Sequence, residues 1–286
     1  MKRSVKRALA ASAAVLATLG AVVGVQAHRT EAAIDRFAAQ VAEIGRAVPA
    51  PAYDEARLAA LPAPVRRYLR FALGDSADRR RYVALEMRGL FRRPGTEIFA
   101  ETTATQTIAV GVPALVFAAT TPVAPGVWAR AYDFYADGQM EMKAKILSTL
   151  TVVDERETPA LNRTSLRRWL LESPLYPMAL APGGPVRWEP IDAVRARAIV
   201  EADGLSASLV AVFRADGALE RFEAEEDGDL STPYHGSGEV ALRDDYRPVD
   251  GMMIPHRFTI ARAAGGEIFP FWRGEVTGIR FDAALP

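Results

Sequence analysis

The sequence predicts an α+β fold: one large, curved, mostly antiparallel sheet of about ten strands, half-barrel-like, with interposed helices and an N-terminal membrane or signal helix. Three observations predict it. From about residue 82, apolar residues recur with a period of two, as in strands with one buried and one wet face. Turn dipeptides punctuate those runs: Pro94-Gly95, Asp137-Gly138, Asp203-Gly204, Asp216-Gly217, Asp227-Gly228, Asp250-Gly251 and Gly265-Gly266. Ahead of residue 82 the apolar residues instead recur at steps of three and four, the helical spacing.

The chain opens with Lys2, Arg3, Lys6 and Arg7, followed by a stretch from Ala8 to Val25 without charge. Val25-Gln26-Ala27 then offers short side chains where a signal peptidase reads. Twenty residues of helix span roughly 30 Å, the thickness of a bilayer's hydrocarbon core. Residues 1–27 are therefore either a cleaved signal peptide or a retained anchor. In both cases the basic flank stays in the cytoplasm and the body faces outward. The expected location is the bacterial cell envelope: inner membrane with an outward body, or periplasm if the leader is removed.

Residues 28–60 form an amphipathic helix and linker. Ile34, Phe37, Val41, Ile44 and Val48 make one stripe, and Pro49 and Pro51 end it. A second helix is expected over 64–73, with Pro64 in its first turn and Gly74 at its stop. Strands then carry alternating patterns. Val83, Leu85, Met87, Gly89 and Phe91 face one way, against Glu86, Arg88 and Arg92; Met140, Met142, Ala144 and Ile146 alternate with Glu141, Lys143 and Lys145. One helix interrupts the strands, with Asn162 as its expected cap, Leu166, Trp169 and Leu170 as its apolar face and Pro174 as its end. The proline-rich stretch 174–186 reads as a loop dividing two halves of one sheet. Residues 61–286 are expected to form a single domain.

Composition excludes several functions. Behind the leader the body carries 31 basic and 35 acidic residues, so it lacks the net basic face that nucleic-acid binding needs. Cysteine is absent, which removes disulfides, thiolate metal sites, cysteine nucleophiles and a lipidated N-terminal cysteine. Arginine far outnumbers lysine, and Asn162 is the sole asparagine, a composition expected of a GC-rich bacterial genome. No G-x-S-x-G elbow, P-loop or G-x-G-x-x-G fingerprint is present. His235 and Glu239, four apart on an expected strand, would be separated by roughly 13 Å, too far to share a metal. No cofactor or metal site is expected.

Candidate functional residues fall into three sets. Trp128, Tyr132, Met140, Met142, Trp169, Trp188 and Trp272 lie in the strand-rich region. Aromatics and methionines on a half-open sheet line either an apolar ligand cavity or an ordinary core. Asp133, Glu141 and His256 are the first suspects for acid–base chemistry, which needs groups paired in one pocket. Arg66, Arg67, Arg70, Arg79, Arg80 and Arg81 form the densest basic cluster, suited to lipid phosphates or to a solvated, acid-paired face.

The segments LPAPVRRYL (61–69), DFYADGQMEMKAKIL (133–147), RWLLESPLYPMAL (168–180), VRWEPID (186–192), YRPVDGMMIPHRF (246–258) and FPFWRGEVTGIRF (269–281) resemble an uncharacterised bacterial family described as a domain of unknown function. More loosely, the strand-rich layout is similar to the lipoprotein localisation factors of the Gram-negative envelope. That resemblance implies an incomplete barrel closed by helices over an apolar cavity that takes lipid chains, although no signature motif of those factors occurs. Three functions fit. The first is a non-enzymatic envelope protein whose half-barrel binds a lipid or lipidated partner. The second is an envelope hydrolase using Asp, Glu and His. The third is a structural or interaction domain with a filled core.

Overall fold

A computed structural model describes residues 2–49, 55–74, 80–92, 96–228, 230 and 238–283. Helix α1 (Lys2–Ala47) runs unbroken from the N-terminal apolar stretch through the amphipathic segment. Its apolar stripe docks on the sheet, where Ile34, Val41 and Ala42 are buried. Pro51, the Pro94-Gly95 turn and His235 lie outside the described residues. Helices α2 (Glu55–Ala59) and α3 (Ala63–Leu73) follow. In α3 the stripe of Val65, Tyr68, Leu69, Ala72 and Leu73 is buried, as its spacing requires.

Among the described residues thirteen strands form one open sheet: β1 (Tyr82–Arg92), β2 (Phe99–Ala109), β3 (Leu115–Ala124), β4 (Val127–Ala136), β5 (Gln139–Ile146), β6 (Leu150–Arg156), β7 (Val186–Pro190), β8 (Arg195–Ala202), β9 (Leu205–Phe213), β10 (Leu219–Glu223), β11 (Val240–Val249), β12 (Met252–Ala264) and β13 (Glu267–Phe281). About ten are legible in the sequence, and the shortfall has a physical cause. Strand β6 is an edge with scarcely a buried residue, and β7 and β10 span only five residues each, too short for alternation to register.

The spatial order is β6-β5-β4-β3-β2-β1-β13-β12-β11-β10-β9-β8-β7. Two antiparallel meanders are thus stitched along β1 and β13, whose register runs from Val83↔Phe281 to Phe91↔Trp272. At the seam Gly89 opposes Gly274. A Cβ on Gly89 would lie 2.1 Å from the Arg273 carbonyl oxygen, and one on Gly274 would lie 2.4 Å from that of Arg88. Only glycine permits this approach. The turns Asp137-Gly138, Asp203-Gly204 and Asp250-Gly251 have positive φ at both residues, the type I′ geometry that matches strand twist.

The two sheet edges, β6 and β7, are consecutive in sequence. Helix α4 (Pro159–Glu172) and the 3-10 turns Ser173–Leu175 and Pro177–Leu180 connect them. The expected loop is therefore short helical turns. They are buried, because Leu175, Tyr176, Met178 and Leu180 are apolar and enter the core. The cap of α4 also differs from expectation: Thr158 accepts the Leu161 N–H at 3.2 Å, while Asn162 Oδ1 accepts the Met140 N–H at 3.1 Å. A threonine before a proline already fills the cap position, so the asparagine is free to tie α4 to β5.

Alternation gives the sheet two faces. On β4, Tyr132 and Phe134 meet Phe37 of α1, with ring centroids 5.6 and 4.2 Å apart. Asp133, between them, meets Arg168 of α4. Helix α1 thus lies on the outer face and α4 on the inner. The main core fills the inner face and includes Trp169, Tyr135, Tyr176, Phe222 and Phe271.

Candidate functional site

Between α4 and the inner face of β1–β6 and β13 lies an apolar cavity of about 280 Å³. The backbone registers explain why space remains there. Ala104 pairs with Ala119, Ala119 with Ala131, and Ala131 with Ala144. A row of four alanines thus crosses β2 to β5 on one face, where larger side chains would interdigitate with α4. Phe91, Phe117, Met142, Ile146, Val152 and Trp272 wall the space around the row.

One end of the cavity is closed and charged. Arg168 Nη1 donates to Asp133 Oδ2 at 2.5 Å, and the Arg168 guanidinium sits 4.5 Å above the Phe117 ring centroid. Asp133 Oδ1 is buried without a hydrogen-bond partner. Burial pushes the Asp133 carboxyl up to about 6, against the pull of Arg168 in the other direction. Nearby, Arg243 of β11 donates to Glu172 at 2.7 Å and to the Leu171 carbonyl at 3.0 Å. Arg167 and Arg262 both bind Glu239, at 3.2 and 2.7 Å. Charged pairs therefore clip α4 to both meanders, through Asp133 on one side and Arg243 and Glu239 on the other. Paired this way, the buried charges offset one another, although the Asp133 Oδ1 lone pairs are left without a donor.

The structure sorts the seven aromatic and methionine candidates. Met142 and Trp272 face the cavity. Tyr132 borders it, but its ring turns to the outer face, where it packs on Phe37 and its hydroxyl donates to Glu141 at 2.5 Å. Met140 is buried one pair further along, opposite Tyr135. Trp169 donates its indole N–H to the Ala109 carbonyl at 2.8 Å, and Trp188 donates to that of Leu180 at 3.0 Å. Both are satisfied core residues. Trp128 sits half-buried on the outer face at the start of β4. The alanine row carries the site, and aromatic content gave no sign of it. The signal available was small residues at alternate positions of adjacent strands, as in Ala129-x-Ala131 and Ala144.

Asp133, Glu141 and His256 do not converge. Asp133 and Glu141 lie on opposite faces of the sheet. His256 is on β12, five strand spacings from β4, roughly 24 Å along the sheet, and its Nδ1 lies 2.9 Å from the Ile254 carbonyl oxygen. Glu141 is occupied on the outer face. Partial burial raises its pKa, but hydrogen bonds from Tyr132 and Lys143 outweigh this and hold the carboxyl below its ordinary range. Glu239 directly precedes β11 rather than lying within it. Among the described residues no group of three or more His, Cys, Asp or Glu side chains is placed to hold a metal.

The arginine cluster is spent on structure. Arg66 donates to the carbonyls of Ala59 and Leu61, Arg67 to that of Ala193 and Arg81 to that of Arg46. Arg70 pairs with Glu55 and Arg80 with Asp250. Arg79 lies outside the described residues. A larger depression of about 830 Å³ crosses the outer face beside Arg88, Leu90 and Arg273. It is open to solvent, Arg88 is held by Glu275, and Arg273 lies over Phe99. Small-molecule sites are concave and mostly apolar, which favours the inner cavity.

No curated protein matches this chain. Among solved structures, the chain is similar to a DUF1329 family protein from Desulfovibrio piger ATCC 29098. The identity is 11%, the TM-score is 0.40, and the match covers 79% of this chain and 95% of that one. A family model described as "Family of unknown function (DUF6920)" matches residues 59–281, a span that takes in both meanders, α4 and the whole cavity. The chain belongs to this family of unknown function.

Proposed function

We propose that the protein is a non-enzymatic, membrane-anchored component of the bacterial envelope that holds an apolar ligand, a lipid chain or lipidated partner, in its half-barrel. One observation carries the reading: the alanine row leaves an apolar cavity of about 280 Å³ on the inner face. Cavities of about 150 Å³ with apolar walls already bind benzene, and this one has space for a longer aliphatic group. Its walls are alkyl and aromatic, and its charged end is internally paired. Such a lining offers shape and dispersion contacts and has no nucleophile–base pair to do chemistry. Helix α1 supplies the anchor, because it contains a stretch long and apolar enough to cross a membrane.

The test is uptake of a fluorescent fatty acid or lipopeptide by delipidated full-length protein. Saturable binding is expected, and Ala131→Leu should abolish it by filling the centre of the alanine row. Filling an idle void commonly stabilises a protein by about 0.5–2 kcal/mol, so Ala131→Leu should melt at or above the wild-type temperature. No saturable uptake by the wild type would sink the reading, as would uptake unchanged by Ala131→Leu.

A further inference from the structure

The end of the sheet from which α1 runs out is the end at which the cavity opens. Thr30 of α1 lies beside Lys145 near the end of β5, Oγ1 to Nζ 3.4 Å. Glu31 binds Arg130 near the start of β4 at 2.7 Å. Further along, Arg46 reaches Tyr82 at the start of β1, and Val48 meets Gly111 beyond the end of β2. Residues ahead of Thr30 therefore run past the turns that join β3 to β4 and β5 to β6. Burial along the helix agrees. Residues 9–22 are exposed, whereas Val23, Gln26 and Ala27 are half-buried. The turns thus reach the level at which the uncharged stretch Ala8–Val25 ends.

The cavity's exposure gradient points the same way. Asp133 and Arg168 at its inner end are at most 3% exposed, whereas Val152, at the end that Ile146 and Ala129 also line, is 53% exposed. Around this mouth Leu150 is 64% exposed, and Ile98, beside the equivalent end of β2, is 57% exposed. Trp128 stands at the same edge, as aromatics do at membrane interfaces. Arg29 and Lys145 bring positive charge to the same level, where lipid phosphates would lie.

Resting on the anchored-carrier reading above, we infer that the edge carrying the 124–127 and 146–150 turns sits on the bilayer surface. The cavity mouth then opens onto the leaflet, and its occupant is the acyl chain of a lipid drawn from that leaflet rather than a ligand from solution. The rigid course of α1 sets this orientation. The helix has no break between its apolar stretch and the segment docked by Ile34, Phe37 and Val41, so the anchor and the sheet hold one fixed relation. An interfacial segment enters the headgroup and acyl boundary by about 5–10 Å, a depth that exposed Leu150 and Val152 would occupy.

The chain has no cysteine, so single labels are clean. Full-length Leu150→Cys, Ile98→Cys and Gln139→Cys, each carrying an environment-sensitive fluorophore, are placed in nanodiscs of phosphatidylethanolamine and phosphatidylglycerol with nitroxide-bearing lipid. Gln139 is exposed at the opposite end of β5. Quenching at positions 150 and 98 is expected to exceed that at 139 by about twofold or more, as an interfacial depth demands. Equal quenching at all three positions would overturn the orientation. Lipid uptake, measured on the same samples with and without Ala131→Leu, separates the two ideas. Saturable uptake with unquenched tips would leave the carrier reading standing and remove this inference. Quenched tips without uptake would retain the docking face and remove the lipid occupant.

Discussion

Asp133 concentrates the cost of the site in one side chain. It is 3% exposed and bound to Arg168, and burial lifts its carboxyl to about 6 despite that cation. In an unfolded chain the same group ionises near 3.9. Between about pH 4 and pH 6 the folded protein therefore holds more protons than the unfolded one, and stability falls as pH rises through that window. The penalty is complete above about pH 6. Exposed carboxylates act in a lower range. Asp216 and Asp244 are held below the usual range, chiefly by backbone N–H groups and then by arginine, so their contribution is lost only as pH falls below about 4. The unfolding midpoint of the wild type should thus rise between pH 7 and pH 5, and Asp133→Asn should flatten that slope. Titration of denaturant midpoints over this range measures it directly. An identical slope in Asp133→Asn would assign the effect to another group.

Helix α4 shows how an element on the inner face is held by charge as much as by its apolar stripe. Leu166, Trp169 and Leu170 enter the core, yet Arg168 and Glu172 are buried as well, each paired to a different half of the sheet. Removing one member of such a pair leaves the other buried and uncompensated, at about 3–5 kcal/mol. Glu172→Ala should lower stability by that amount, because the Arg243 side chain is 1% exposed. Replacing both residues by apolar ones, Glu172→Leu with Arg243→Met, should recover most of it. Chemical denaturation of the single and double variants gives both numbers, and a double variant no better than Glu172→Ala would refute the charge account. This element also marks where the sequence stops being legible. Its apolar spacing and its position between strands could be read, and so could the stripe of α1 and the alternation in β1 and β5. The pairing of Arg168 with Asp133, 35 residues apart, depends on a contact that no local pattern encodes, whereas the Thr158 cap is legible in the Thr158-Pro159 pair, ahead of Asn162. The alanine row was hidden for a related reason. Alanine carries little hydrophobic or propensity signal in a strand, and four of them mean something only once registry sets them side by side.

At the scale of the whole molecule, two meanders share one seam, a strap crosses the inner face, and one long helix crosses the outer face. The last of these joins the N-terminal apolar stretch to the body without a break in the helix. Val25, Gln26 and Ala27, where a signal peptidase would read, lie inside α1, and Thr30 Oγ1 donates back to the Gln26 carbonyl at 2.9 Å. Cleavage there requires opening helix that is half-buried at Gln26 and Ala27. It would also detach the body from the bilayer that the proposed function needs. The expected outcome is an uncleaved chain: mass spectrometry of protein extracted from bacterial membranes should find residues 2–27 still joined to the body, and carbonate washing should leave it in the membrane fraction. An apolar stretch of the length of Ala8–Val25 spans close to the roughly 30 Å of a hydrocarbon core, so retention needs no second anchor. A mature chain beginning at His28 and released by the wash would place the body free in solution. The carrier reading would then need a lipid delivered by collision, and a cavity mouth fixed against the leaflet would be excluded.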